Sequence, residues 1–366
     1  MEQSNNTPLA AVVVPVYKAE ALLRRCLNSI LAQTWTNWAA ILVDDGSPDA
    51  SGAICDEYAA RDARFCVIHQ PNGGLPAARN AGLDALPAEA RYVFFADADD
   101  ALSPITFETG LRLARMFPGE PVSWDYTSEA AELAAECPEQ PLIEEYPADR
   151  LLDYYFTWNL SPVWCKVFPA SVFTRDGMRF EPDMRFAEDT IFTLSYLERC
   201  FDQNPGCRLH YLRLPLYYYD TVSNPGSLCH TVGADYCKYQ YILLPAAIRF
   251  FERLGYSQPA LERLYHRYVQ AVCCGLDNIR NTPPEGCRAA LHRALAHPEL
   301  GKMLDYFAQT GVYSAYYLPL RLHWVSWALL LFHSQQTEQK FWYWKFYWLG
   351  WYAWRLFCKP PAGEAP

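Results

Sequence analysis

The chain has no uninterrupted apolar run of the roughly 20 residues that a membrane-spanning helix requires. Its early apolar stretch, Leu9–Val16, is short and carries Pro15. A secretory leader is therefore not expected, nor is a synthase that builds its own export channel from several spanning helices. Positive charge is also scarce: 31 Lys and Arg against 41 Asp and Glu leave a formal charge of −10 over 366 residues. No global basic field exists to recruit nucleic acid. The 13 cysteines include no Cys-x-x-Cys pair and no regular spacing, and their number is odd. Cys273-Cys274 sit among apolar residues, as structural thiols often do. A disulfide framework or zinc site is thus not expected, and a reducing cytoplasm fits better.

What is present is an alternation of strand and helix patterns over the first 125 residues. Ala11–Val16 is a continuous apolar run, as a parallel strand covered on both faces should be. A helix is predicted from about Glu20 to Gln33, with Leu22, Leu23, Cys26, Leu27, Ile30 and Leu31 on one stripe. Strand Ala39–Val43, helix Asp49–Arg61, strand Phe65–His69, helix Pro76–Leu86 and strand Arg91–Ala96 follow. That order predicts a doubly wound α/β half. Residues 127–149, with Glu129, Glu132, Glu136, Glu139, Glu144 and Glu145 among prolines, read as a solvated, partly helical surface segment. From Leu151 to Leu228 an α/β pattern resumes, and 233–310 read as helices.

In such sheets ligands bind outside the carboxyl ends of the strands, and polar residues gather there. Tyr17 follows the first strand, Asp45 the second, Asn72-Gly73-Gly74 the third and Asp97-Ala98-Asp99-Asp100 the fourth. Three carboxylates behind the apolar run Tyr92–Ala96 are costly to desolvate unless a cation or ligand shares their charge. Hard oxygen donors suit Mg²⁺ or Mn²⁺, ions that usually also hold substrate phosphates. Alone, the cluster also reads as an acidic turn capping the next helix; four strand ends each carrying a ligand-type group argue for one site. Asp45, in a tight turn with Gly46, can accept the imide N–H of uracil or a ribose hydroxyl. Tyr17 can stack on a base. The glycine turn before Leu75 opens a helix whose amide donors, with Arg79, suit a diphosphate. Glu188-Asp189 open an apolar helix, where the dipole favours carboxylates. Trp164 serves equally as an apolar platform for a sugar or as a core residue.

Val13-Val14-Pro15-Val16-Tyr17, Val43-Asp44-Asp45-Gly46-Ser47 followed by Asp49, Gly73-Gly74 with Ala78-Arg79-Asn80-Ala81-Gly82, and Asp97-Ala98-Asp99-Asp100 resemble, in order and spacing, family 2 glycosyltransferases. The resemblance is dense over residues 8–105 and thinner to about 230. It implies a GT-A type doubly wound mixed α/β sheet flanked by helices, with a C-terminal helical, aromatic-rich extension. It also implies that Pro15, Tyr17 and Asp45 line the nucleoside pocket of a nucleotide-sugar donor, UDP-linked given Asp45, with Arg79 close by. Asp97 would face the ribose, and Asp99 would hold Mn²⁺ or Mg²⁺ bridging the two phosphates, supported by Asp100. Phe186-Ala187-Glu188-Asp189 is similar to the family's Glu-Asp motif, which implies Asp189 as general base and Glu188 as a residue that orients the acceptor. Ser161–Lys166 and Tyr217–Leu228 are similar to further family segments. Where members often carry a basic residue after the tyrosines this chain has Asp220, which puts a late diphosphate contact in doubt. His230 is a candidate metal or phosphate contact.

The expected organisation is a glycosyltransferase domain over 1–230 (nucleotide half 1–126, acceptor half 150–230), a helical region over 231–312 and an amphipathic tail over 313–366. The tail is crowded with Tyr and Trp, and Arg321, Lys340, Lys345, Arg355 and Lys359 outnumber Glu338 and Glu364. Such residues favour the membrane interface and anionic lipid, so peripheral contact with the inner face of the cell membrane is expected. The expected activity is metal-dependent, inverting transfer of a hexose-type sugar to a glycan or lipid-linked acceptor in surface-polysaccharide synthesis. A sugar nucleotidyltransferase fits less well, because Tyr17-Lys18-Ala19-Glu20 lacks a glycine-rich phosphate loop. A non-catalytic glycan- or nucleotide-binding subunit is disfavoured by the intact Asp45, Asp97, Asp99 and Asp189.

Overall fold

The computed structural model describes residues 9–157, 159–184, 186–222, 236–280, 284–310 and 314–336. His230 and the aromatic segment beyond residue 336 lie outside the described residues. The chain divides into two compact units, Met1–Pro225 and Gly226–Pro366.

The first unit is built on nine strands among the described residues. Strands β1 (Leu9–Val16), β2 (Trp38–Asp44), β3 (Phe65–His69) and β4 (Ala90–Phe95) alternate with helices α1 (Leu23–Leu31), α2 (Ser51–Arg61) and α3 (Leu75–Asp84). All four strands are parallel: β1 pairs with β2 and β4, and β2 pairs with β3. Val12, Val13 and Val14 of β1 are fully buried, as β-branched residues in a covered parallel strand should be. After β5 (Ala101–Leu102) and α4 (Thr106–Met116) come β6 (Val122–Thr127), β7 (Ile143–Pro147), α5 (Leu151–Tyr155), β8 (Lys166–Pro169), α6 (Ser171–Thr174), α7 (Glu188–Gln203) and β9 (Arg208–Tyr218). The sheet order is β3-β2-β1-β4-β8-β6-β9-β5, with β7 also on β9. β8 runs antiparallel to β4 and β6, which makes the sheet mixed.

Residues 127–149 are largely exposed and carry short helical turns at Ala130–Glu132 and Ala148–Arg150, in keeping with the solvated, partly helical segment that their charges predicted. The departure is the edge strand β7, which pairs antiparallel with the start of β9. Edge pairing leaves Glu144 and Glu145 at the surface to meet Arg213 and Arg208, so a strand forms here without an apolar run.

The order of the first four strands sets the position of the site. The chain moves outward from β1 to β2 and β3, then returns to place β4 on the other side of β1. The carboxyl ends of β1 and β4 therefore meet at a topological switch point, where open α/β sheets form a crevice. Pro15 suits this position. The carbonyl of Val13 accepts the N–H of Ala96, so alternate residues, Pro15 included, turn their backbone toward the β4 side. The β1–β4 register ends at Val13–Phe95, and the N–H that Pro15 lacks interrupts no ladder there.

The second unit is helical: α8 (Tyr236–Arg253), α9 (Gln258–Arg280), α10 (Pro284–Leu295), α11 (Pro298–Thr310), α12 (Tyr317–Arg321) and α13 (Val325–Gln336). Its core includes Ala247, Phe251, Leu261, Leu264, Val269 and Phe307. Among the described residues no helix is long and apolar enough to cross a membrane.

Candidate active site

The strand ends β1, β2 and β4 bring the sequence's candidate residues to one edge of the sheet. Tyr17, directly after β1, is 46% exposed, and the Lys18 ammonium lies 5.1 Å from its ring centroid. Pro15 is buried beside it. The N–H of Asp45 donates to the Val16 carbonyl at 2.9 Å, tying the ends of β1 and β2 together. The Asp45 carboxylate accepts the N–H groups of Gly73 and Gly74, each at 2.8 Å, and the Gln70 amide at 2.7 Å. The glycine amides expected to face a diphosphate are thus spent on Asp45, whose first task is to shape the 70–74 turn. Gly46 and Gly74 adopt φ of +68° and +86°, which a side chain would strain.

Arg79 occupies the centre. It is 1% exposed, and Nη2 donates to Asp97 Oδ1 at 3.0 Å while Nη1 donates to Glu188 Oε1 at 2.9 Å and also to Asp189 Oδ1. Its guanidinium lies 5.2 Å from the Phe180 ring centroid. Arg79, expected beside a diphosphate, lies on three carboxylates from two distant parts of the chain. α3 carries Arg79 beneath the strand ends, and α7 begins at Glu188, so its first-turn carboxylates meet the cation. The residue before, Ala187, is held at φ +61°, uncommon for a non-glycine residue and of the kind found where a site fixes the backbone.

One cation cannot satisfy three acids, of which Glu188 is buried and Asp97 and Asp189 are partly exposed. Burial holds the Glu188 carboxyl up at about 8 and neighbouring Asp189 adds to this, despite the opposing pull of Arg79. Asp97 is likewise raised to about 6 by burial, with Arg79 opposing and Asp189 and Asp99 reinforcing. The same carboxylates drive the Arg79 guanidinium above its ordinary value against the effect of burial. The site thus stores surplus negative charge. Asp189 uses Oδ1 for Arg79, while Oδ2 turns to the Val163 N–H at 3.4 Å, a weak contact that leaves accepting capacity there.

The remaining acids are organised through β9. Asp100 is 1% exposed; its Oδ2 accepts the Tyr217 hydroxyl and its Oδ1 the N–H of Asp220, both at 2.8 Å. Burial and the neighbouring Asp97 and Asp99 push its carboxyl well above the usual range. The Tyr217 oxygen accepts the N–H of Asp97 at 3.0 Å, so one phenol links two acids of the turn. Trp164 stacks on Tyr217 at 4.2 Å and on Tyr219 at 5.6 Å and is 7% exposed. Its large face is therefore in an aromatic stack that braces Tyr217. Lys166, also buried, donates to the carbonyls of Asn159 and Pro162 at 3.1 and 2.6 Å and fixes the loop that carries Val163. Arg25, Tyr217 and Lys166 were not singled out by sequence; their partners are distant in the chain or are backbone atoms, and neither relation leaves a local pattern.

Among the described residues no group of three or more His, Cys, Asp and Glu side chains closes around a metal position. The donor chemistry fits a shared ion all the same. Asp99 and Asp97 are partly exposed hard-oxygen donors in an acid-rich turn, and Mg²⁺ or Mn²⁺ bound by one or two carboxylates fills its shell from phosphates and water.

The fold and the site together define a mixed α/β sheet of the GT-A type, with an acidic turn at its switch point. The family model described as Glycosyl transferase family 2 matches residues 11–115. The Bacillus subtilis (strain 168) protein described as uncharacterized glycosyltransferase EpsJ is 34% identical over 266 residues, covering 70% of this chain and 74% of that protein. The Rhizobium meliloti (strain 1021) succinoglycan biosynthesis protein ExoW is 33% identical over 201 residues, covering 50% of this chain and 61% of its own length. Among solved structures, S. aureus TarS 1–349 in complex with UDP-GlcNAc aligns with a TM-score of 0.62 at 16% identity, covering 90% of this chain and 92% of that one, a likeness of fold. The chain belongs to glycosyltransferase family 2.

The raised Glu188 carboxyl has a signed consequence. From about pH 4.5 to about 8 the unfolded chain has released this proton and the folded chain still holds it, so stability falls as pH rises through that window. Glu188→Gln mimics the protonated form. Urea unfolding in metal-free buffer at pH 5, 6.5 and 8 is expected to give a flatter profile for Glu188→Gln than for the parent chain. Parallel profiles would show that Glu188 is ionised throughout.

Proposed function

We propose that this chain is an inverting, metal-dependent glycosyltransferase that moves a sugar from a UDP-sugar to a hydroxyl of a glycan or lipid-linked acceptor in surface-polysaccharide synthesis. The observation that carries this reading is the sharing of one buried guanidinium by Asp97, Glu188 and Asp189. It brings Asp97, the acid assigned to the ribose in this reading, and Asp189, the candidate base, to a single point. Support for the donor class comes from the strand-end site and from the UDP-GlcNAc bound in the TarS structure. Support for the biological setting comes from the succinoglycan role in the name of ExoW.

In this reading Tyr17 stacks on the base, and Pro15 and Asp45 shape the nucleoside pocket. Asp97 faces the ribose, with Arg79 holding it in place. A divalent cation at Asp99, when bound, neutralises the diphosphate so that the leaving group needs no proton. Asp189 Oδ2 takes the acceptor hydroxyl proton as that oxygen attacks the anomeric carbon. The bond from that carbon to the diphosphate oxygen breaks and its electron pair leaves with UDP. One backside displacement inverts the anomeric configuration. Glu188, kept protonated by burial, can donate a hydrogen bond and so orient the acceptor without adding charge.

A panel of sugar nucleotides with Mn²⁺ tests the reaction. The expected result is UDP release with at least one UDP-sugar, and a fall of about 10²–10⁴ in kcat for Asp189→Asn with donor binding retained. A chain that neither binds nor turns over any donor, or an Asp189→Asn variant with full activity, overturns the proposal.

Membrane contact through residues 313–366 belongs to the same proposal. Leu322 and Trp324 are 46% and 50% exposed at the start of that stretch. Sedimentation with phosphatidylglycerol vesicles is expected for the full chain and lost on truncation after Gly311. A full chain that never sediments contradicts it.

A further inference from the structure

Arg25, on α1, points away from Arg79's cluster and approaches the acidic turn through different atoms. Its Nη2 donates to the backbone carbonyl of Asp99 and, at 2.7 Å, to Asp220 Oδ2. The guanidinium stands 5.0 Å from the Tyr218 ring centroid. Asp220 is in turn gripped from the other side, because its N–H donates to Asp100. The short strand β5, which follows the turn, pairs with Tyr217 and Tyr218 of β9. Residues 97–102 and 217–220 are therefore laced together at four places: the β5–β9 ladder, the Tyr217 hydroxyl, the Asp100–Asp220 hydrogen bond and the Arg25 bridge. Of these, Arg25 is the contact that reaches Asp99, the residue assigned to the cation.

The charges explain why such a bridge is useful. Asp97, Asp99 and Asp100 repel one another, and Arg79 neutralises only the Asp97 side. Arg25 supplies a second positive charge at Asp99's backbone. Asp220, whose side chain is 1% exposed, fixes where that charge sits. An acid at position 220 thus has a structural use in this chain: it orients an arginine supplied by α1.

We propose that Arg25 and Asp220 form a latch that sets the position of the Asp97–Asp100 turn, so that Arg25 is a positioning residue for binding of the divalent cation and the donor diphosphate. The inference rests on the donor site proposed above. Loss of either partner breaks the Arg25 bridge between Asp99's carbonyl and the exit of β9, and the turn then has to be ordered at the expense of cation affinity. Partners of metal ligands have effects of about 10–100-fold on metal affinity when removed. Because Asp189 is untouched, the loss falls on binding more than on kcat.

The test compares the parent chain with Arg25→Ala, Asp220→Ala, the double variant and Arg25→Lys. UDP binding is followed by calorimetry as Mn²⁺ is titrated, alongside KM and kcat and the thermal midpoint in metal-free buffer. Arg25→Ala is expected to raise the Mn²⁺ concentration for half-maximal UDP binding about tenfold, with the donor KM moving more than kcat. Asp220→Ala should match it, the double variant should be no worse than either single one, and Arg25→Lys should recover most of the loss. A lowered thermal midpoint with unchanged Mn²⁺ and UDP dependence identifies a merely structural pair and overturns the latch. Should Arg25→Ala not fold, Asp220→Asn retains the shape and removes the charge; an unchanged Mn²⁺ dependence in that variant also overturns it. A parent chain that binds no UDP at any Mn²⁺ concentration overturns the donor-site reading, and the latch with it, whereas parent binding with unaffected variants overturns the latch alone.

Discussion

The Arg79 guanidinium, buried and shared by Asp97, Glu188 and Asp189, is the interaction on which the site depends. Charges taken out of water at this depth are costly unless paired and hydrogen-bonded, and breaking such a pair from one side typically costs about 3–5 kcal/mol. Here the cation is outnumbered. Burial eases the imbalance by pushing the Glu188 and Asp97 carboxyls up, to about 8 and about 6, toward their protonated forms. A divalent cation at the acidic turn, as proposed, would relieve the same imbalance.

This arrangement also joins the two halves of the first unit. Asp97 comes from the end of β4 and Arg79 from α3, while Glu188 and Asp189 begin α7 109 and 110 residues after Arg79. A second set of contacts joins the acidic turn to β9 through Tyr217, Asp100 and Asp220. Trp164, stacked on Tyr217, ties that set back to the loop beside Asp189. The acidic turn, Arg79 and the start of α7 are therefore mutually positioned before any ligand arrives, which is the condition for electrostatic preorganisation.

The frame of the fold was legible because local pattern and tertiary role agree. Continuous apolar runs became β1, β2 and β4, and the acids at their ends fell at the switch point where topology places a ligand. The acceptor-side Glu188-Asp189 pair was also visible, as carboxylates at a helix start. What could not be read was who pairs with whom. Arg79 in a glycine-rich context suggests a phosphate neighbour, and only the fold reveals that α7 delivers two acids to it. The Arg25–Asp220 pair spans 195 residues and has no local signature. β7 escaped notice because Ile143-Glu144-Glu145-Tyr146-Pro147 gains its strand character from edge pairing with β9. Trp164 looked like a sugar platform or a core residue with equal force, since an indole serves both; its stacking partners are distant.

The central claim is that Arg79 organises carboxylates and leaves the diphosphate to a cation and the strand-end groups. A crystal structure with UDP and Mn²⁺ bound tests it most directly, by the position of the Arg79 guanidinium relative to Asp97, Asp189 and the phosphates. The account predicts that Arg79 remains on both acids, with Mn²⁺ between Asp99 and the diphosphate. Arg79 withdrawn from Asp189 and hydrogen-bonded to a phosphate oxygen would contradict it.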